Sequence, residues 1–519
     1  MKTNQAALFL LLSGVLPACT FLESDGLYTP LVDDGGTVIP APGLPDPEAV
    51  QGEAGLSARA TGLPAGTFVE NDWQQANRDN QATFSIDVDT ASYTRTRGLL
   101  GASRLPEAAD VRVEEFLNYF DYKYPGPEAG TDEGGLPFAV HFEGAPSPFG
   151  EDLHMLRVGL QAGYISNEVR PAANLVFLVD TSGSMATPDK VGLVQESLEV
   201  LLNVLRPDDT VAIVTYAGNS SVLLEPTPAS NRQEILSAIN TMNIGGYTWG
   251  EAGLREAYAL AEQAKVVNGL NRVILCTDGD FNVGMTGEAL VDEVAIWADR
   301  GITLTAMLFG MDGIDDAFLE DLTNRADGNY FHIDTRDEAV RVLSEDVVGT
   351  LMVVAADVKL QVELNPEIVE RYRIVGYDNR VLADEDFSND AVDAGDMGAG
   401  HTVTGLLEVD LNGLSELPST TQIAEVRVRF KLPGHSQSQL ETWPLFVSDL
   451  APSIEQASAS MRLAVGVAEF AEILRTSRHS DGARFDEVVS LVSADWASDR
   501  DVAELVQLIG TARYLWPWR

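Results

Sequence analysis

Cysteine is almost missing from this chain: 519 residues carry two, Cys19 and Cys276. Two thiols do not make a disulfide-stapled secreted scaffold, so stability must come from an apolar core. Basic residues are scarce as well. Lys and Arg number 34 against 79 Asp and Glu, a formal net charge of −45. A field of that sign disfavours phosphate backbones and anionic lipid surfaces, and no basic cluster offsets it, so no nucleic-acid partner is expected. Histidine occurs six times, at 141, 154, 332, 401, 435 and 479, and never as His-Glu-x-x-His. There is no Gly-x-Ser-x-Gly elbow ahead of a helix and no Gly-Lys-Ser/Thr loop, so the usual marks of metalloproteases, serine hydrolases and phosphate-loop enzymes are absent. The loop Gly245-Gly246-x-Thr248-x-Gly250 lacks the lysine that phosphate binding needs.

What the chain does have is ample core material: 45% hydrophobic and 22% charged residues mark it as globular. Its length suggests about three or four domains. The first 18 residues read as a targeting segment, with Lys2 followed by the apolar stretch Ala6–Leu16, which is too short to span a bilayer. Leu16-Pro17-Ala18-Cys19 resembles a bacterial lipoprotein signal. That resemblance implies cleavage before Cys19, diacylation of its sulfur and a lipid-anchored protein. Thr20, in place of Asp, points by the same analogy to the outer membrane. Residues 19–66 are crowded with Pro and Gly and have few large apolar residues, as a disordered tether does.

The most informative stretch is Asn174-Leu-Val-Phe-Leu-Val-Asp180-Thr-Ser182-Gly-Ser184-Met185. An apolar strand ends in an acid and two alternating hydroxyls, three oxygen donors on one turn. Such donors suit a small hard cation. Asp, Ser and Gly after a strand are also ordinary turn and helix N-cap residues. Two further segments favour the cation. Ile244-Gly-Gly-Tyr-Thr248-Trp-Gly250 sets a hydroxyl in a glycine-framed loop, and Asn271-Arg-Val-Ile-Leu-Cys-Thr277-Asp278-Gly279-Asp280 is a second apolar strand ending in acid. Strand ends of a parallel sheet open on one edge, where Asp180, Ser182, Ser184, Thr248 and Asp278 can converge.

These three motifs, in this order, resemble the von Willebrand factor type A domain and its metal-ion-dependent adhesion site. The resemblance implies bound Mg²⁺, with Mn²⁺ or Ca²⁺ able to substitute. It makes Ser182 and Ser184 direct ligands and Thr248 and Asp278 ligands directly or through water. Asp180 would act mostly through water, and Asp280 as a loop cap outside the ligand set. With only two carboxylates facing it, such an ion stays electrophilic, and an Asp or Glu from a partner protein can complete its coordination.

The α/β domain is expected over 171–350, with strands near 174–180, 210–216, 271–277 and 302–309 alternating with helices near 189–205, 231–241, 250–265, 287–299 and 336–350. Alternating segments at 138–142, 153–160, 358–364 and 424–432 suggest a β-sandwich over 136–165 plus 352–446, with the α/β domain inserted into it. A small N-terminal α+β unit is expected over 67–125, where Thr90 and Ser92 can cap a helix. "FSIDVDTASY" and "RVEEFLNYFDYKYP" in that unit resemble the N-terminal extension of bacterial von Willebrand A proteins. Helical spacing at 461–475 and 502–509 predicts a C-terminal helical region over 452–519, with Trp516-Pro-Trp518 as a packing plug. Cys276 reads as a buried core thiol, and His141 and His332 as structural residues. The acidic loop 378–396 reads as a solvated segment, with a calcium site as its alternative.

The expected function is therefore a membrane-anchored binding module, not an enzyme, at the bacterial cell envelope. It would capture an acidic partner residue through Mg²⁺. The alternatives are a metal-dependent phosphohydrolase at Asp180 and Asp278, or an envelope structural protein whose cation only stabilises the fold.

Overall fold

The computed structural model describes residues 70–127, 135–150, 152–246, 250–279, 287–311, 316–480 and 484–517. The targeting segment, Cys19, the tether, Thr248, Asp280 and Trp518 lie outside the described residues. The described part opens with β1 (Gln74–Gln75), β2 (Gln81–Ser85), α1 (Ala91–Gly101) and α2 (Val113–Leu117). Two long antiparallel strands follow, β3 (Phe138–Pro146) and β4 (Leu153–Ala162).

An α/β unit comes next. Its strands are β5 (Ala173–Asp180), β6 (Thr210–Tyr216), β7 (Ser220–Pro228), β8 (Leu270–Thr277), β9 (Thr303–Phe309) and β10 (Tyr330–Ile333). Its helices are α3 (Leu193–Val204), α4 (Arg232–Asn240), α5 (Gly250–Gln263), α6 (Gly287–Asp299), α7 (Asp316–Asn324), α8 (Arg336–Val340) and α9 (Val347–Leu351). The strands form one sheet in the order β10-β9-β8-β5-β6-β7, parallel throughout except for β7. In β5, Leu175, Phe177 and Val179 enter the core on one face while Val176 and Leu178 enter the core on the other. Both faces are covered, which is why this strand reads as a continuous apolar run. The chain runs from β5 to β6 on one side and later lays β8 on the other, so the sheet's winding reverses at β5. Crevices at such switch points are where α/β sheets bind ligands.

The last strands are β11 (Val353–Leu364), β12 (Val369–Val375), β13 (Met397–Gly398), β14 (Thr402–Leu411), β15 (Gln422–Lys431) and β16 (Ser438–Phe446). They complete two antiparallel sheets, β1-β12-β14-β4-β3 and β13-β11-β15-β16, with β2 added on β11. The sheets face each other. Phe138 on β3 meets Phe430 on β15 with ring centroids 4.9 Å apart. Gly405 on β14 lies so close to Phe84 of β2 that a Cβ there would sit 3.0 Å from its ring. The α/β unit is thus inserted between β4 of one sheet and β11 of the other.

Helices α10 (Ala459–Leu474), α11 (Phe485–Ser493) and α12 (Arg500–Leu515) close the fold. They share one apolar cluster with α1 and α2, in which Tyr93, Phe116, Phe470, Val488 and Leu505 are all buried. The N-terminal stretch therefore does not stand apart: its strands extend both sandwich sheets and its helices pack on the C-terminal ones. Thr90 makes no side-chain capping bond to α1. Instead Ser92 Oγ donates to the Asp110 carbonyl at 2.6 Å, and Asp89 accepts the Tyr330 backbone N–H of β10 at 2.9 Å. Among the described residues no helix is long and apolar enough to cross a membrane.

Candidate functional site

Sheet register brings the two strand-end acids together. Val179 of β5 pairs with Cys276 of β8, so Asp180 and Asp278 emerge side by side at the edge of the sheet. Asp180 is fully buried. Its Oδ1 accepts the Ser182 backbone N–H at 2.7 Å, closing a tight Asx turn that points the next hydroxyls back toward the acid. Its Oδ2 is buried, and the buried Tyr216 hydroxyl faces this carboxylate. Burial pushes the Asp180 carboxyl up to about 6 and the nearby Asp278 charge adds to the rise, while hydrogen bonds from Ser182 and the Tyr216 hydroxyl oppose it. Ser182 is buried and Ser184 exposed, with their Oγ atoms 2.9 Å apart. Met185, completely buried, anchors the far end of this turn in the core.

Asp278 is 2% exposed. Its Oδ1 lacks a hydrogen-bond partner among the described residues, and its Oδ2 accepts from Lys190 Nζ at 2.8 Å. Lys190 comes from a π-helical turn, Pro188–Gly192, that leads into α3. The glycine-framed loop is stitched to the first one: Gly245 N–H donates to the Thr181 carbonyl at 2.8 Å and Gly183 N–H to the Gly246 carbonyl at 3.3 Å. Gly246 has φ 110°, and a Cβ there would press on Ala217, so this close approach requires glycine.

Four of the five sequence-predicted site residues, Asp180, Ser182, Ser184 and Asp278, thus gather at one corner of the switch point. Thr248 lies outside the described residues, as does Asp280. The donor set is all oxygen, and Asp278 Oδ1 is buried without a partner among the described residues. Such an atom is costly unless a donor or a cation meets it, so the corner fits a small hard cation. Among the described residues no group of three or more His, Cys, Asp or Glu is arranged to hold a metal ion; this corner has two acids and relies on hydroxyls.

Lys190 was not among the residues singled out from sequence. The one available signal is its place just ahead of a helix, where the helix dipole disfavours a positive charge. Elsewhere, acids of the 378–396 loop staple neighbouring elements. Asp378 accepts from Arg475 at 2.7 Å and from Asn71 N–H at 2.9 Å, Asp384 accepts from Thr83 at 2.6 Å, and Asp396 accepts from Asp357 N–H at 3.0 Å. His141 and His332 bond the carbonyls of Pro125 and Gly310 at 2.7 and 2.8 Å. Cys276 is a buried free thiol whose pKa burial pushes up to about 12, leaving it unreactive.

Comparison with known proteins agrees with this geometry. Residues 175–280 match the model of the von Willebrand factor type A domain and residues 66–157 that of von Willebrand factor. The α/β unit is therefore a von Willebrand factor type A domain. Residues 349–515 match the family model described as "Uncharacterized protein YfbK, C-terminal". "Uncharacterized protein YfbK" of Escherichia coli (strain K12) is 38% identical over 475 residues, which cover 85% of this chain and 82% of that protein. The chain belongs to the YfbK family. "Uncharacterized protein sll0103" of Synechocystis is 24% identical over 327 residues, covering 62% of this chain and 76% of that one. A solved structure, "von Willebrand factor type A from Catenulispora acidiphila", is similar at 15% identity with a TM-score of 0.42, covering 75% of this chain and 91% of its own.

Proposed function

We propose that this chain is a divalent-metal-dependent protein-binding module, tethered to the bacterial envelope through lipid on Cys19. Asp180, Ser182, Ser184, Thr248 and Asp278 hold Mg²⁺, or Mn²⁺ or Ca²⁺ in its place. When bound, the ion supplies an open electrophilic position that an Asp or Glu of a partner protein completes. The chain's own residues do the rest. The buried β5 and β8 fix the two carboxylates, the Asx turn at Asp180 orients the paired hydroxyls, and the two stitched loops hold the rim. The role is binding rather than turnover, and the outer membrane is the proposed location.

The observation that carries this reading is the pair of buried carboxylates, Asp180 and Asp278, at adjacent strand ends, with Asp278 Oδ1 left without a hydrogen bond among the described residues. Isothermal titration of the full chain with Mg²⁺ and Mn²⁺ tests the site. Asp180→Ala and Ser182→Ala are expected to abolish or weaken binding by about 100-fold, the scale of losing an ionic or coordinating contact. Affinity unchanged in both variants refutes the site. The partner is tested by crosslinking in envelope extract: capture is expected in Mg²⁺, and loss of it in EDTA and in Asp180→Ala.

A further inference from the structure

Asp278 already has a cation. Lys190 Nζ lies 2.8 Å from its Oδ2, and the two side chains are 13% and 2% exposed. This pair is not a loose surface bridge, which would contribute little. The lysine stem is braced by the architecture. It runs over Gly310, the residue just past β9, where a Cβ would lie 2.6 Å from Lys190 Cε. Gly310 has φ 85°, so the backbone there both demands glycine and clears a track for the lysine. The Lys190 backbone N–H is tied to the Thr187 carbonyl at 3.1 Å, which fixes the turn that launches the stem.

The electrostatics follow from that placement. Two buried carboxylates at adjacent strand ends repel each other, and Lys190 neutralises one of them. A divalent ion entering the same corner adds two positive charges beside the one already there. It must either draw Asp278 away from the ammonium or share that carboxylate with it, and both reduce the net gain on binding. We infer that Lys190 is a built-in competitor for the divalent ion, and that its ammonium, paired with Asp278 and braced on Gly310, sets the metal affinity of the corner. The inference rests on the metal-binding reading above. Its consequence is a site that stays folded at low metal and loads only when the cation is plentiful.

Titration calorimetry with Mg²⁺ on the full chain, compared with melting in EDTA, tests it. Lys190→Met keeps the stem and removes the charge, and Lys190→Gln is a second neutral variant should Lys190→Met fail to fold. Both are expected to bind Mg²⁺ about tenfold more tightly than the unmodified chain, because removing one unit charge at this range lifts a repulsion of that order. Both are expected to melt at a lower temperature in EDTA and to recover in saturating Mg²⁺. Lys190→Arg keeps the charge and is expected not to tighten binding. Wild-type affinity, or weaker, in the two neutral variants overturns the inference and leaves the metal site standing. Absence of Mg²⁺ binding in the unmodified chain and in both neutral variants overturns the metal reading, and this one with it.

Discussion

Single residues here carry opposite electrostatic assignments, set by what surrounds them. Glu472 of α10 is buried yet held below the usual range of its carboxyl: burial works against ionisation, but Arg373 and then Arg475 outweigh it. Glu469, a turn away, is buried, and the Ser480 hydroxyl donates to it at 2.8 Å. Burial pushes its carboxyl from 4.5 up to about 7; Glu472 adds to the rise, and Ser480, Arg484 and Arg373 oppose it. Between those two values the folded chain holds a proton that the unfolded chain releases. The stabilisation is therefore full below about pH 4.5 and is lost as pH rises through about 7. Glu469→Gln is expected to match the unmodified chain near pH 5 and to exceed it above pH 8, by at most about 3 kcal/mol. Urea denaturation at the two pH values checks this, and a difference that does not change with pH refutes it. The same contrast explains which site residues the sequence displayed. Asp180, Ser182 and Ser184 sit in one short turn after an apolar strand, and Asp278 ends another, so local pattern was enough. Lys190 meets Asp278 across 88 residues of chain, a contact that no spacing rule reports.

At the scale of elements, long apolar or alternating strands were legible: β5, β6, β8 and β9 fall within a few residues of where periodicity puts them. β7, β10 and α7 were not. β7 is an edge strand with only two of its nine residues buried, and β10 is four residues long and buried throughout, so neither alternates clearly between apolar and polar. The helix expected over 336–350 is broken into α8, a π-helical turn at Arg341–Glu345, and α9. The break is held by side chains of the segment itself and by others from the N-terminal stretch. Thr350 Oγ1 donates to the Val342 carbonyl at 3.1 Å, and Arg341 leaves the helix to bond Glu338 and lie 4.2 Å over the Tyr119 ring of the N-terminal stretch. Arg97 of α1 completes this clamp: its Nε donates to Asp334 at 2.9 Å and its Nη2 to Glu338 at 2.9 Å, with Tyr119 accepting from Nη1 at 2.7 Å. Arg97→Ala leaves Asp334, just ahead of α8, with the Thr335 hydroxyl but no arginine, and Glu338 with one arginine. The expected cost is about 3–5 kcal/mol, the scale of breaking a buried pair. Arg97→Lys is expected to restore little, since an ammonium cannot reproduce the planar fork. Denaturant midpoints of both variants, with hydrogen exchange over 334–351, measure it; a loss under about 1 kcal/mol in Arg97→Ala would show that the clamp holds nothing.

At the scale of the molecule, the inserted domain and its host are not separable bodies. One apolar cluster runs from Leu175 and Phe177 of β5, through Val342, Leu343, Val348 and Leu351 around the broken helix, into Val358, Leu360 and Phe430 of the sandwich. A second cluster joins α1 and α2 to α10, α11 and α12. Arg373 of β12 bonds Glu472 of α10 through both terminal nitrogens, at 2.9 and 3.0 Å, tying that second cluster to the sandwich. Because β1 and β2 come from the same stretch as α1 and α2, removing residues 70–127 would strip a strand from each sheet and part of the helical core at once. Elements that share cores in this way unfold together, whereas domains joined only by a linker melt in separate steps. Calorimetry of the full chain is expected to give a single main heat transition, with the calorimetric and van't Hoff enthalpies in agreement. A chain that starts at Leu136 is expected to lose that transition altogether. Two resolved transitions in the full chain, one of them reproduced by residues 171–351 alone, would mean that the inserted domain folds independently of the sandwich that carries it.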